Sequence, residues 1–255
     1  MNRFKTAMRS RLAGKIAFGL TAVVAGAYTV PRVTSNTEHV NKVLDQVLTA
    51  ADTSSPGWDL PNLDHARVDS WVSKFTTSKT LKPQFAIWLD RKAKYEPMIS
   101  AKLTERSMPQ DLIYLAMIES GFNPTAKSPA AAGGLWQFIS ETGQRYGLTV
   151  NKRVDERNHP DKATDAALSY LSDLHDRFGS WYLAAAAYNT GENRVGRLMK
   201  QVTGKEKGTD ADYYRIAGLL PRETREYVPM MIAAARISKD PAKYGFGEDI
   251  IAMSE

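Results

Sequence analysis

One glutamate stands where the surrounding residues predict the apolar face of a helix. Residues 107–120 are predicted to form this helix, with Pro109 typical of its first turn and Gly121 typical of its end. Glu119 follows Leu115 by four residues, so it lies on the same face as the apolar residues. Burial there would raise the pKa of its carboxyl, and the negative end of the helix dipole would act in the same direction. A carboxyl that stays protonated near neutral pH is suited to general acid catalysis.

A structural role for Glu119 is the alternative when this helix is considered alone. A buried glutamate can form an ion pair with an arginine or cap a loop, and buried charges are usually satisfied in this way. The choice between the two roles depends on the segments that must surround the helix.

Helices are predicted over most of the chain, and no sustained alternation of apolar and polar residues indicates a large sheet. The apolar spacing indicates helices near 40–48, 68–75, 81–103 with an interruption near Pro97, 163–178, 181–187 and 223–237. Residues 127–150 differ, because their prolines and glycines indicate loops or a small hairpin. The predicted fold class is therefore mostly α.

The N-terminus has the charge pattern of a targeting segment. Five basic residues and no acidic ones precede the uncharged run from 16 to 30. The run is shorter than the roughly 20 apolar residues of a spanning helix and fits the core of a signal peptide. We therefore expect residues 1–30 to be a signal peptide or an uncleaved membrane anchor, with the rest of the chain outside the cytoplasm.

Charge and composition exclude several classes of function. The formal net charge is +6, but without residues 1–30 the chain has 29 basic and 28 acidic residues, so no nucleic-acid partner is predicted. The chain has no cysteine, which excludes disulfides, thiolate metal sites and cysteine nucleophiles. Its four histidines lack metal-binding spacing, so neither a metal nor another cofactor is predicted.

Four motifs in sequence order resemble the soluble-lytic-transglycosylase (SLT) domain family. They are Glu119-Ser120, Lys127-Ser128-Pro129, Gly134-Leu135-Trp136-Gln137 and Ala186-Ala187-Tyr188-Asn189-Thr190-Gly191. Residues 221–229 extend the resemblance, which covers about residues 64–240. Each motif is weak alone, but four in order at spacings that fit one domain are specific. The resemblance implies an α+β, lysozyme-like fold that acts on the glycan strands of bacterial peptidoglycan.

The resemblance also implies a role for each matching residue. Glu119 corresponds to the catalytic glutamate, and the Tyr188 hydroxyl would hydrogen-bond either Glu119 or the substrate's acetamido group. The residues implied to bind or position the substrate are Ser120, Ser128, Gly134, Gln137, Tyr188, Asn189, Glu223 and Tyr227. Plain structural roles remain open for several of them: Ser128 as a loop residue, Tyr227 as a packing residue. Trp136 is more typical of a core than of a sugar platform.

The implied reaction needs one protein carboxyl. Glu119 would protonate the oxygen between N-acetylmuramic acid and N-acetylglucosamine, and would then accept the proton of the muramyl 6-hydroxyl as a 1,6-anhydro ring closes. A lysozyme-type hydrolase is one alternative, and it would need a second carboxylate roughly 5–9.5 Å from Glu119. Its candidates are Glu141, Asp155, Glu192 and Glu223. A non-catalytic peptidoglycan-binding protein is the other alternative.

The predicted organisation has five parts. They are the signal peptide or anchor at 1–30, a linker with a short helix at 31–62, an N-terminal helical extension at 63–105, the SLT catalytic domain at 106–245 and a tail at 246–255. The expected location is the periplasm or cell envelope. Peptidoglycan strands and cell-envelope proteins are the expected partners, with membrane contact only through the N-terminal segment.

Overall fold

The computed structural model describes residues 59–61 and 65–247. The predicted signal peptide or anchor, nearly all of the predicted linker and most of the predicted tail therefore lie outside the described residues. Within the described ranges, no helix is long and apolar enough to cross a membrane.

Nine α-helices account for most of the described chain. They are α1 (Ala66–Thr77), α2 (Leu81–Glu105), α3 (Ile113–Ser120), α4 (Ser140–Arg145), α5 (Pro160–Phe178), α6 (Trp181–Thr190), α7 (Glu192–Thr203), α8 (Asp210–Ala217) and α9 (Arg222–Lys239). Only isolated antiparallel bridges occur between α3 and α5 in this part of the chain, at Lys127–Gly133, Gly133–Phe138 and Val150–Asp155. The predicted mostly helical fold is confirmed. The loops predicted at 127–150 are present except at 140–145, where α4 forms.

Helix α3 is shorter than predicted, because a 3-10 turn at Gln110–Leu112 precedes it. The Asp59 carboxylate accepts hydrogen bonds from the backbone N–H groups of Gln110 and Asp111, which caps this turn. The helix ends as predicted at Gly121, which has a φ of 58°. A Cβ atom at Gly121 would lie 2.0 Å from Nε1 of Trp88, so both the backbone and the packing require glycine there.

The interruption predicted near Pro97 is wrong. Helix α2 continues through Pro97 as a single helix of 25 residues. Proline removes one backbone donor and usually kinks or ends a helix. Here both halves of α2 bury apolar side chains in the same core, Trp88 before the proline and Ile99 after it. We attribute the continuity of the helix to this packing, which offsets the lost hydrogen bond.

One hydrophobic core joins α1 and α2 to the helices that follow. Helix α1 packs mainly against α9 and also against α2. Phe75 of α1 contacts Phe85 and Trp88 of α2, with ring centroids 4.8 and 5.7 Å apart. Phe246, at the start of the predicted tail, packs 5.3 Å from Phe85. The helical extension predicted at 63–105 therefore shares its core with the predicted catalytic region.

Helix α6 lies among several neighbours and carries part of the site. Residues 184–187 are four consecutive alanines, all fully buried, and such small side chains allow close approach of other helices. The helix packs against α5, α7, α8 and α9. Ser180 caps its start, accepting a 3.1 Å hydrogen bond from the Leu183 N–H, and the chain turns out of the helix at Gly191.

Candidate active site

Glu119 lies in the last turn of α3 and is buried, with 5% of its surface exposed. Burial raises the pKa of its carboxyl to about 8; a hydrogen bond from Tyr227 opposes the rise, and the charge of Glu223 adds to it. The helical spacing correctly predicted that this side chain is on the buried face. A carboxyl with this pKa is largely protonated at neutral pH and can still ionise, so it can both give and take a proton.

The partner of Glu119 comes from the far end of the chain. The Tyr227 hydroxyl, on α9, donates a hydrogen bond of 2.5 Å to Oε1 of Glu119. Burial and the nearby Glu119 charge raise the pKa of the Tyr227 phenol, so Tyr227 stays a neutral donor. Tyr227 is 1% exposed. The donor therefore stabilises the ionised form of Glu119 in a place that water scarcely reaches.

A second polar cluster lies one turn earlier on α9. Glu223 precedes Tyr227 by four residues, so the two share a helix face. Oε1 of Glu223 accepts a 3.1 Å hydrogen bond from Nδ2 of Asn189, and Oδ1 of Asn189 accepts one of 2.7 Å from the Thr224 hydroxyl. Burial raises the pKa of Glu223, and the bond from Asn189 partly opposes this. Helices α6 and α9 are thus joined beside Glu119.

Tyr188 does not donate to Glu119. Its hydroxyl donates a 2.7 Å hydrogen bond to the backbone oxygen of Trp136, and its ring packs 5.2 Å from Tyr170 and 6.1 Å from Phe138. Of the two hydrogen-bond partners expected for Tyr188, the structure does not show Glu119, because the one hydrogen of the Tyr188 hydroxyl is donated to Trp136. Trp136 is fully buried and donates to the Thr164 hydroxyl, so it is a core residue.

The two serines of the predicted site are bonded within the protein. The Ser120 hydroxyl donates to the backbone oxygen of Leu135 at 2.8 Å, which ties the end of α3 to the following loop. The Ser128 hydroxyl accepts a 3.0 Å hydrogen bond from the Ala132 N–H and closes a tight turn. Both hydroxyls therefore shape the loop that runs beside Glu119.

Gly134 holds this loop against a buried arginine. Its φ is 81°, and a Cβ atom there would lie 1.7 Å from the backbone oxygen of Arg157. The Arg157 guanidinium donates to the backbone oxygens of Ala131 and Phe138 at 2.7 and 2.9 Å, and pairs with Asp155 at 2.7 Å. The residue that closely approaches the Gly134 backbone in the structure is therefore Arg157.

Gln137 is the loop residue with an unsatisfied polar atom. It is 5% exposed and has a φ of 48°. Its Nε2 donates to the backbone oxygens of Gly134 and Ala126 at 2.8 and 3.2 Å, whereas its buried Oε1 has no hydrogen-bond partner. An unpaired buried acceptor is costly, so it favours binding of any group that brings it an N–H or O–H.

Gln137 lines a cleft of about 180 Å³. The other lining residues are Phe138, Ile139, Thr142, Arg145, Tyr170, Tyr188, Asn189, Thr190, Gly191 and Glu192. Glu192 accepts hydrogen bonds from Arg145 at 3.1 Å and Tyr170 at 3.0 Å, and the Arg145 guanidinium lies 5.2 Å from the Tyr170 ring centre. The sequence motifs did not indicate Arg145 or Tyr170, because neither belongs to one of them.

The four candidates for a second carboxylate differ in their surroundings. Asp155 and Glu192 are paired with Arg157 and Arg145. Glu141 lies in the first turn of α4 and is exposed. Glu223 is the candidate whose charge acts on the pKa of Glu119. Among the described residues, no group of three or more histidine, aspartate or glutamate side chains could hold a metal ion.

Comparisons with known proteins agree with the motif resemblance. Residues 96–210 match the family model described as Transglycosylase SLT domain. Membrane-bound lytic murein transglycosylase D from Escherichia coli (strain K12) is 40% identical over 152 residues, which are 59% of this chain and 33% of that protein. Peptidoglycan transglycosylase gp16 from Escherichia phage T7 is 35% identical over 124 residues, which are 48% of this chain and 9% of that protein.

A solved structure gives a weaker match. It is the X-ray structure of an inactive mutant of lytic transglycosylase Slt from Pseudomonas aeruginosa, with a TM-score of 0.47 and 26% identity over 60% of this chain and 25% of that chain. The matched part of this chain spans 33% of the length of the Escherichia coli relative. The family model's range includes the Glu119, Gln137 and Tyr188 motifs, whereas Glu223 and Tyr227 lie beyond it.

Proposed function

We propose that this chain, whose residues 96–210 match the family model described as Transglycosylase SLT domain, is a lytic transglycosylase of peptidoglycan. The proposed reaction cleaves the β-1,4 bond between N-acetylmuramic acid and N-acetylglucosamine and forms 1,6-anhydromuramic acid. Glu119 is the proposed catalytic residue, acting first as acid and then as base.

The observation that carries this proposal is the state of Glu119. It is buried, its pKa is raised to about 8, and its one hydrogen-bond donor among the described residues is Tyr227. A general acid is most effective when its pKa lies near the working pH, since it is then protonated at the start and can ionise during the reaction. Asp155 and Glu192 are each paired with an arginine, which makes them unsuited to serve as a second catalytic carboxylate.

The proposed steps balance with one carboxyl. Glu119 gives its proton to the bridging oxygen as the bond from that oxygen to C1 of the muramyl residue breaks. The muramyl 6-hydroxyl then bonds to C1, and its proton passes to the Glu119 carboxylate, which restores the starting state. Tyr227 stabilises the carboxylate between the two steps by its hydrogen bond. Neither water nor a cofactor is consumed.

Substrate contacts are proposed for the polar residues beside the cleft. The unpaired Oε1 of Gln137 can accept an N–H or O–H of a sugar, and Asn189 and Tyr188 line the same cleft. For Ser120, Ser128 and Gly134 we propose positioning of the loop that carries Gln137, since their polar groups or backbone are engaged within the protein. For Glu223 and Tyr227 we propose tuning of the Glu119 pKa.

A lysozyme-type hydrolase is the second candidate function, and Glu223 is the observation that favours it. The charge of Glu223 raises the pKa of Glu119, and the Glu223 side chain is partly buried. If Glu223 activated water or formed a covalent intermediate, the product would carry a reducing end. The two candidates thus differ in product, which makes them separable by one experiment.

We also propose that the chain works in the periplasm or cell envelope, reached through its N-terminal segment. The support is the cluster of basic residues before the uncharged run at 16–30, together with relatives whose names place them at the membrane or on murein. Cell fractionation and N-terminal sequencing of the mature protein test this proposal. Recovery of the intact chain in the cytoplasm would contradict it.

The experiment for the proposed reaction is mass spectrometry of muropeptides released from purified peptidoglycan sacculi. The wild type is expected to release products lighter by one water than the hydrolytic products, and Glu119→Gln is expected to release none. Products with reducing-end muramic acid would indicate the hydrolase. Undiminished release by Glu119→Gln would reject the catalytic role of Glu119.

A further inference from the structure

We propose that α1, which lies outside the range of the SLT family model, supports the candidate active site by positioning Tyr227 against Glu119. In this role Arg67 and Trp71 of α1 act on Glu226 of α9, and all three are positioning residues rather than catalytic ones. The proposal deepens the proposed function and rests on it for the meaning of Glu119.

The first support is the contact between α1 and α9. Glu226, the residue directly before Tyr227, accepts a hydrogen bond of 2.9 Å from Nη1 of Arg67 and one of 3.0 Å from Nε1 of Trp71. One carboxylate oxygen is used for each donor, so the two bonds fix the carboxylate in both position and orientation. These two hydrogen bonds attach α1 to the turn of α9 that carries Tyr227.

The second support is that α1 also reaches the end of α3. Phe75 of α1 packs 5.7 Å from the Trp88 ring, and the Trp88 indole lies directly against Gly121, two residues after Glu119. Helix α1 therefore contacts α9 beside Tyr227 and, through one aromatic ring, contacts the end of α3 beside Glu119. It holds in register the two helices whose side chains must meet.

The third support is that the hydrogen bond between Tyr227 and Glu119 depends on the position of α9. The groups that act on the Glu119 carboxyl are Tyr227 and Glu223 from α9, while Tyr188 from α6 lies close enough to feel its charge. The Tyr227 hydrogen bond is 2.5 Å long, and hydrogen bonds weaken steeply as their geometry worsens. Loosening α9 at Glu226 should weaken this bond and leave the charge of Glu223 nearby.

The test is a double-mutant cycle that uses the pH dependence of activity. Arg67→Met combined with Trp71→Phe removes both donors to Glu226 while keeping an unbranched side chain at position 67 and an aromatic ring at position 71. We expect the basic limb of kcat/KM to move upward by about half a pH unit or more, because a hydrogen bond to the ionised form of Glu119 has been lost. In a Tyr227→Phe background the same pair of substitutions should cause no further shift.

Asp69→Asn is the matched control. Asp69 is also on α1 and pairs with Arg236 of α9 at 3.5 Å, but that contact lies nine residues beyond Tyr227. It should leave the basic limb in place. The inference is overturned if the Arg67/Trp71 substitutions shift the limb equally with and without Tyr227, or if they lower the midpoint of thermal unfolding without moving the limb.

A direct titration separates this inference from the proposed reaction. The pKa of Glu119 can be followed by NMR of the carboxyl carbon in labelled full-length protein, with Glu119→Gln to assign the signal. The Arg67/Trp71 substitutions should raise this pKa only where Tyr227 is present. If the wild type released no anhydro product, the proposed function would fail while this titration would still decide the positioning role.

Discussion

The Tyr227 hydroxyl meets Oε1 of Glu119 at 2.5 Å across a separation of 108 residues in sequence. The glutamate lies inside the range of the SLT family match, and the tyrosine lies beyond it. The proton affinity of the candidate catalytic group is therefore set jointly by the matched domain and by α9.

Replacing Tyr227 by phenylalanine tests this relationship. The substitution keeps the buried ring and removes the donor that lowers the pKa of Glu119, so that pKa should rise. Activity that needs protonated Glu119 should then persist to higher pH, and the basic limb of kcat/KM should move upward by about one unit. A downward shift, or an unchanged limb in an active variant, would contradict the assigned role of the hydroxyl.

Replacing Glu223 by glutamine should shift the same limb in the opposite direction. The negative charge of Glu223 raises the pKa of Glu119, and the neutral amide removes that effect while its oxygen can still accept from Asn189. The basic limb should therefore move downward, with 1,6-anhydro products unchanged in kind. If Glu223→Gln instead abolished turnover while the Glu119 pKa still fell, Glu223 would be a second catalytic carboxylate.

The raised pKa of Glu119 should also make the free energy of unfolding depend on pH. Its folded-state pKa of about 8 lies above the ordinary value of 4.5, so its contribution to stability is fully present below the ordinary value. That contribution is lost as the pH rises through the folded value. The stability of Glu119→Gln relative to the wild type should therefore increase between about pH 4 and pH 9, by at most about 5 kcal/mol. Denaturant unfolding of both proteins at the two pH values measures it, and a pH-independent difference would show that the Glu119 pKa is not raised.

Two glycines offer a matched comparison for the loop beside the cleft. Gly134 and Gly147 both have positive φ, but they differ in the space around them. A Cβ atom at Gly134 would lie 1.7 Å from the Arg157 backbone oxygen, whereas a Cβ atom at Gly147 would have no neighbouring atom within 4 Å. Gly147→Ala should cost about 1–2 kcal/mol for its backbone conformation alone. Gly134→Ala should cost clearly more, and should also reduce activity because the loop carries Gln137. Equal losses in urea unfolding would show that the loop does not depend on this close approach.

The burial of Glu119 could be predicted from sequence because it depends on the local spacing of one helix. The end of α3 at Gly121 could be predicted for the same reason, since it is also a local feature. The segment 192–217 was different. Its two helices, α7 and α8, bury a narrow set of apolar residues such as Val195, Met199 and Ile216 among many polar ones, so the apolar pattern did not predict them.

The connections within the site could not be predicted from local pattern. Tyr188 and Tyr227 are both tyrosines near Glu119, and only the packing of α9 determines that Tyr227 donates to the carboxyl. Likewise Arg157 belongs to none of the motifs, yet it holds the loop through bonds to residues 19 and 26 positions away. Such contacts depend on tertiary packing rather than on spacing along one element.

The most direct measurement of the central claim is digestion of peptidoglycan in water enriched in the heavy oxygen isotope, followed by mass spectrometry of the released muropeptides. The proposed transglycosylase reaction uses the muramyl 6-hydroxyl, so the new end should carry no heavy oxygen and should lack the mass of one water. Glu119→Gln should release no such product. Incorporation of one heavy oxygen at a reducing muramic acid would contradict the account and would make Glu223 the first residue to test as a second carboxylate.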